Sequence, residues 1–91
     1  MAELHRVRVV VRGFVQAVGF RAVARSSARS LEVAGWVRNN PDGTVEAELE
    51  GAPDRVELLV DWFRHGPRGA RVEAIDVERL QPTGEQGFSI R

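Results

Sequence analysis

An arginine delivered by a glycine-flanked turn is the feature of this chain best suited to holding an anion. The run Gly13-Phe14-Val15-Gln16-Ala17-Val18-Gly19-Phe20-Arg21 leaves a valine-rich segment and ends where a helix is expected to start. Successive backbone N–H groups in such a turn point into one concavity, the helix dipole adds partial positive charge, and a guanidinium grips two oxygens at once. Arginine in a first helical turn opposes the dipole, which favours acids there, and a bound anion would turn that poor placement to use. Taken alone the signal is weak, because strand-to-helix turns also use glycine for purely conformational reasons.

A second run, Gly35-Trp36-Val37-Arg38-Asn39 followed by Asn40-Pro41-Asp42-Gly43-Thr44-Val45-Glu46, places an asparagine eighteen positions after Arg21. Asparagine is a poor strand residue and a good turn residue, so Asn39 can be read as the start of a hairpin. It also shares strand parity with Val37, which directs it toward the helix-bearing face, where the loop and Arg21 end.

Together these runs resemble the acylphosphatase family, whose members have a phosphate loop of the form G-x-V-Q-G-V-x-F-R and a strand G-W-V-[KR]-N leading to x-x-x-G-x-V. The match falls on Gly13, Val15, Gln16, Val18, Phe20 and Arg21, then on Gly35, Trp36, Val37, Arg38, Asn39, Gly43 and Val45. It spans essentially the whole chain. One position departs: Ala17 stands where the family has glycine. A Cβ there is accommodated at negative φ and strained in the left-handed region. The resemblance implies metal-independent hydrolysis of an acyl phosphate to carboxylate and inorganic phosphate. The loop Val15, Gln16, Ala17, Val18, Gly19 and Phe20, with Arg21, would hold the phosphoryl group, and Asn39 would orient the attacking water. It implies no metal and no organic cofactor, with phosphate as product and competitive inhibitor.

The elements that must position these residues follow from periodicity. Leu4 to Arg12 is a β-branched segment with Val7, Val9 and Val11 on one face and Arg6, Arg8 and Arg12 on the other. Phe20, Val23, Ala24, Ala28 and Leu31 recur at helical spacing, predicting an amphipathic helix from about Arg21 to about Glu32, with Gly35 at its exit. Gly35 to Asn39 and Thr44 to Glu50 read as strands joined by a hairpin turn, with Val45, Ala47 and Leu49 inward and Glu46, Glu48 and Glu50 on a wet outer face. Pro53-Asp54 opens a second helix with the stripe Val56, Leu59, Val60 and Phe63, ended by Gly66 and Pro67. Arg71 to Leu80 reads as a fourth strand containing a bulge, since the parity of Val72 and Ala74 does not continue into Ile75 and Val77. Phe88-Ser89-Ile90 adds a short fifth. The expected architecture is α+β, the ferredoxin-like split βαβ arrangement, βαββαβ plus a short C-terminal strand, with a mostly antiparallel sheet and two helices on one face.

Composition narrows the function classes. Ninety-one residues with 43% hydrophobic content suit one domain spanning residues 1–91. Thirteen basic residues, all arginine, balance thirteen acids, so no global field recruits nucleic acid or an anionic membrane, and any anion site is local. The absence of lysine excludes Schiff-base chemistry. There is no cysteine, no basic start followed by an apolar run, and no stretch of eighteen apolar residues; a monomeric cytoplasmic protein is expected.

Other candidates do not converge. His5 and His65 lack partners at metal spacing, and His65 reads as a cation at a helix end. Ser26, Ser27 and Ser30 sit within a helix without a nucleophile elbow. Trp36 and Trp62 read as packing residues, with Trp36 alternatively lining the entrance to the site. Because the same fold order also serves binding modules, a non-catalytic domain sensing a phosphate-bearing or small ligand is the competing reading. RNA recognition is disfavoured, since Leu4 to Arg12 and Thr44 to Glu50 carry no aromatic for base stacking.

Overall fold

The computed structural model describes residues 3–91. Its elements are β1 (His5–Phe14), α1 (Phe20–Ser30), β2 (Ala34–Asn39), β3 (Val45–Gly51), α2 (Pro53–His65), β4 (Arg71–Leu80) and β5 (Phe88–Ile90). They form one sheet in the order β4-β1-β3-β2-β5. Every pairing is antiparallel except that of β5, which runs parallel to β2. This is the ferredoxin-like split βαβ arrangement with a fifth strand added at the β2 edge.

Both helices pack on one face of the sheet, where Val7, Val9 and Val11 of β1, Val37 of β2 and Val45, Ala47 and Leu49 of β3 are buried. Helix α1 supplies Phe20, Ala24 and Ala28, and α2 supplies Val56, Leu59, Val60 and Phe63. Val23 departs from the expected stripe and is exposed. Phe20, the first residue of α1, meets Trp62 and Phe63 of α2 at ring-centroid distances of 5.1 and 5.6 Å, so an aromatic cluster fixes where α1 begins.

Helix α1 stops earlier than its periodicity predicts. Val33 N donates to the Ala28 carbonyl at 2.8 Å and Glu32 N to the Arg29 carbonyl at 3.2 Å, with Glu32 at φ 58. That is a Schellman closure with a non-glycine residue in the left-handed position, and it turns Val33 into the core. The expected bulge in β4 is present: Arg12 opposes Ala74 while Gly13 opposes Val72, leaving Glu73 unmatched. Val72 and Ile75 therefore both reach the core side. At this point Gly13 has φ 133, and a Cβ on it would run into the Arg71 carbonyl oxygen.

The opposite sheet face corrects the sequence reading. Glu46 and Glu50 are not solvated; they are 7% and 2% exposed. Arginines on the neighbouring strands and the segment 81–87 cover them. Glu46 accepts from Arg8 Nε at 2.7 Å, Arg38 Nη2 at 3.0 Å and Asn40 Nδ2 at 3.1 Å. Glu50 accepts from Arg6 Nη1 at 2.9 Å and from the backbone N–H groups of Thr83 and Gly84, each at 2.8 Å. Period-two charge predicts a polar face, but only the assembled sheet places arginines opposite these carboxylates. Burial by itself would push both carboxyls up, yet the donors outweigh it and hold each below its ordinary value: Arg38, Asn40 and Arg8 for Glu46, Thr83, Arg6 and Gly84 for Glu50.

A depressed folded pKa means stabilisation that is complete above the unfolded carboxyl value, about 4.3, and lost as pH falls through the folded one. The melting temperature should therefore show no loss from these two groups above about pH 5 and fall below about pH 4. Glu46→Gln should lower stability at neutral pH and flatten the acid limb, which thermal melts across pH will test. An unchanged acid limb would show that Glu46 contributes nothing to it.

Candidate active site

The chain between β1 and α1 is pinned at both ends by buried side chains, Val15 at 0% and Phe20 at 2% exposure. Between them, residues 16–19 cross the end of the sheet. Among the described residues, the backbone N–H groups of Gln16, Ala17, Val18 and Gly19 donate to no backbone or side-chain acceptor. Gly19, at φ 74 and ψ 18, precedes α1 without a side-chain cap, and no acid lies in the helix's first turn. The unpaired N–H groups of that turn, and the positive end of the helix dipole, are thus left to whatever binds.

A cavity of about 190 Å³ opens here, lined by Val15, Ala17, Gly19, Phe20, Arg21, Ala22, Asn39 and Ile90. At about 30 Å³ per water it has room for a compact anion and a water. It is smaller than the roughly 300–1,000 Å³ of sites that enclose a drug-sized ligand, so most of a larger molecule would stay outside. Larger hollows of about 470 and 610 Å³ lie beside the end of α1 and between α2 and the β1–β4 side of the sheet. Neither includes Arg21 or Asn39.

Arg21 occupies the second position of α1 and, among the described residues, takes part in no ion pair and no side-chain hydrogen bond. In the other wall, Asn39 ends β2 opposite Val45 of β3. Its carboxamide oxygen is buried and, among the described residues, has no hydrogen-bond partner. An unsatisfied buried acceptor costs about 1–3 kcal/mol, a cost that a water or ligand in the cavity would remove.

Gln16 and Val18 do not line the cavity with their side chains. Val18 packs against the core. The Gln16 side chain turns to the β2–β3 hairpin, where Nε2 donates to the carbonyls of Asn40 and Thr44, both at 2.9 Å. It latches the loop to the hairpin that carries Asn39. The hairpin is braced in turn by Asp42, which accepts from Thr44 N at 3.0 Å and Thr44 Oγ1 at 2.7 Å. Those two hydrogen bonds hold the Asp42 carboxyl below its usual value.

Two lining residues escaped the sequence reading. Ala22 simply continues the first turn of α1 beyond Arg21. Ile90 arrives through the parallel pairing of β5 with β2, which sets it beside Val37. Nothing in the local sequence fixes which edge a three-residue strand joins. Trp36 is buried on the outer face, with the guanidiniums of Arg38 and Arg91 at 5.1 and 4.7 Å from its ring centroid, and does not line the cavity. His65 Nδ1 lies 3.0 Å from the Asp61 carbonyl near the end of α2. Among the described residues, no group of three or more histidines and carboxylates converges as a metal site, and no helix is long and apolar enough to cross a membrane.

Residues 7–90 match the family model described as Acylphosphatase. The chain belongs to the acylphosphatase family, whose reaction is the hydrolysis of acyl phosphates. It is 52% identical over 91 residues to an acylphosphatase from Roseiflexus sp. (strain RS-1), covering 99% of this chain and 98% of that one. Among solved structures it resembles an acylphosphatase from Coxiella burnetii, with a TM-score of 0.93 and 33% identity over 97% of this chain and 93% of that chain. The acylphosphatase from Bacillus subtilis gives a TM-score of 0.92 and 34% identity, covering 98% of this chain and 99% of that chain.

Ala17, where the family pattern has glycine, has φ 63. Of the two possibilities open in the sequence, this is the strained one, since a Cβ in the left-handed region costs on the order of 1–2 kcal/mol. Glycine removes that strain and returns a smaller amount as unfolded-chain entropy. Ala17→Gly should therefore raise stability by roughly 0.5–1 kcal/mol, read as a higher melting temperature. A variant that melts lower would show that the alanine is not strained in solution.

Proposed function

We propose that acyl phosphate hydrolysis on this chain proceeds by metal-independent, in-line attack of a water oriented by Asn39 on a phosphoryl group held by Arg21 and the loop N–H groups. The observation that carries this reading is the cavity in which Arg21, the loop and the buried, unpaired Asn39 carboxamide oxygen meet. Backbone N–H groups of residues 15–20 and the Arg21 guanidinium surround the phosphoryl oxygens and stabilise charge developing on them. The Asn39 oxygen accepts a hydrogen bond from water and turns its lone pair toward phosphorus. The water oxygen bonds to phosphorus as the bond from phosphorus to the acyl oxygen breaks, and the carboxylate leaves with the electron pair. The water's proton passes to a phosphate oxygen of the substrate itself. Carboxylate is a good leaving group, so positioning and electrostatics suffice without a general acid or a covalent intermediate.

The reading includes inorganic phosphate as product and competing ligand, and a chain that acts as a monomer in the cytoplasm. Its formal charge of zero supplies no long-range field for nucleic acid or anionic lipid. Purified protein should release phosphate from benzoyl phosphate with a metal chelator present. Binding of phosphate without turnover would instead assign the cavity to a sensor.

Two substitutions separate the roles. A guanidinium grips two oxygens in a geometry that an ammonium does not copy, so Arg21→Lys should raise KM and lower kcat although it keeps the charge. Because Asn39 touches the water rather than the phosphoryl group, Asn39→Ala should lower kcat by about a hundredfold while phosphate inhibition stays within a few-fold. Melting curves taken alongside distinguish catalytic loss from a broken hairpin. Normal kinetics in either folded variant would overturn these roles.

A further inference from the structure

The outer-face ion network extends to the catalytic cavity by a route that the reaction itself does not use. Segment 81–87 joins β4 at one edge of the sheet to β5 at the other. It crosses the outer face, where both oxygens of the buried Glu50 hold its backbone at Thr83 and Gly84. Arg6, 3% exposed, extends the attachment: its Nη1 donates to Glu50 at 2.9 Å and to Thr83 Oγ1 at 3.1 Å, and its Nη2 donates to Glu48 at 2.7 Å and to Glu85 at 2.9 Å. Burial disfavours charge on Arg6, but Glu48, Glu85 and Glu50 keep its pKa above the ordinary value. From Glu85 the network continues to Arg91, 3.9 Å away, which lies over the Trp36 ring.

The strap delivers β5. This strand has three residues, and among the described residues its sheet pairing is the parallel ladder with β2. Gly35 N donates to the Gly87 carbonyl on one side of it and Arg91 N to the Val37 carbonyl on the other, both at 2.9 Å. Phe88 anchors its start in the core, and Ile90, flanked by Arg91, lines the cavity beside Val37, two residues before Asn39 on β2. A strand this short depends on what holds its ends.

We propose that the clamp Glu50–Arg6–Glu85 positions the active site: by fixing segment 81–87 and Arg91 it holds β5 on β2, so that Ile90 supports the wall carrying Asn39. Glu50 and Glu85 are positioning residues that act through Ile90. The inference rests on the proposed role of Asn39. Arg21 is placed from the other side, by Phe20 and its packing on Trp62 and Phe63.

Glu85→Gln, at a partly exposed position, and Glu50→Gln, at a buried one, test the clamp in the full-length protein. The amides of Gly35 and Arg91 should exchange with solvent at least about tenfold faster, kcat on benzoyl phosphate should fall roughly tenfold, and inhibition by inorganic phosphate should stay within about twofold. Ile90→Ala should reproduce the kcat loss and Ile90→Val should retain most of the rate. Should Glu50→Gln fail to fold, Glu85→Gln decides. Unchanged exchange in Glu85→Gln would show that the clamp does not hold β5, and faster exchange with unchanged kcat would show that it serves stability alone; either overturns the proposal. The side-chain amide resonances of Asn39 should also shift in Glu85→Gln, a readout that needs no turnover, and their constancy would overturn it too. Absence of turnover by the unaltered protein would overturn the hydrolytic reading of the site instead.

Discussion

The site depends on how tightly the chain is pinned as it passes from strand to helix. Val15 and Phe20 both have their side chains in the core, and only four residues lie between them. Too short to form a compact structure of their own, residues 16–19 keep N–H groups that are unpaired among the described residues. Phe20 also fixes the start of α1 through its contacts with Trp62 and Phe63, so the residue after it, Arg21, is placed by packing rather than by its own hydrogen bonds. Hydrophobic burial thereby sets where a charged side chain leaves the backbone. A core aromatic fixes the backbone from which that side chain leaves more firmly than a surface ion pair, whose net stabilisation is commonly about 1 kcal/mol or less.

Asn39 is held by different forces. It ends β2, where strand pairing gives way to a hairpin braced by Asp42, Thr44 and Asn40, and the Gln16 side chain joins that hairpin to the loop. Two walls of the cavity thus come from separate elements and are tied by two hydrogen bonds from one amide group. Among the described residues the Asn39 oxygen has no partner, and the cost of leaving it so falls on stability.

The two faces of the sheet use different physics. On the helix side, apolar side chains close on one another. On the other side, arginines of β1 and β2 interleave with glutamates of β3, and segment 81–87 completes the shell around Glu50. Buried ion pairs repay their desolvation only when their remaining hydrogen-bonding positions are filled. Arg6, with four side-chain acceptors, meets that condition, and in doing so it fixes a register that apolar packing would leave less sharply defined.

The sequence by itself determined the elements whose physics is local. Alternating valines gave β1, helical spacing and the glycine and proline signals gave both helices, and Asn40-Pro41-Asp42-Gly43 gave the hairpin. The unmatched parity of Val72 and Ile75 gave the bulge. Arg21 stood out as a poorly placed cation at a helix start, and Asn39 through its strand parity with Val37 and the resemblance of its run to a family pattern. Tertiary structure decided whatever depends on a neighbour distant in sequence. Glu46 and Glu50 are buried because arginines and a strap lie across from them, which period-two charge cannot indicate. Ala17 is left-handed because two core anchors set the path between them. The Gln16 side chain leaves the cavity for carbonyls twenty-four and twenty-eight residues away. Ile90 reaches the site because β5 joins the β2 edge, and a three-residue strand carries too little local information to name its partner.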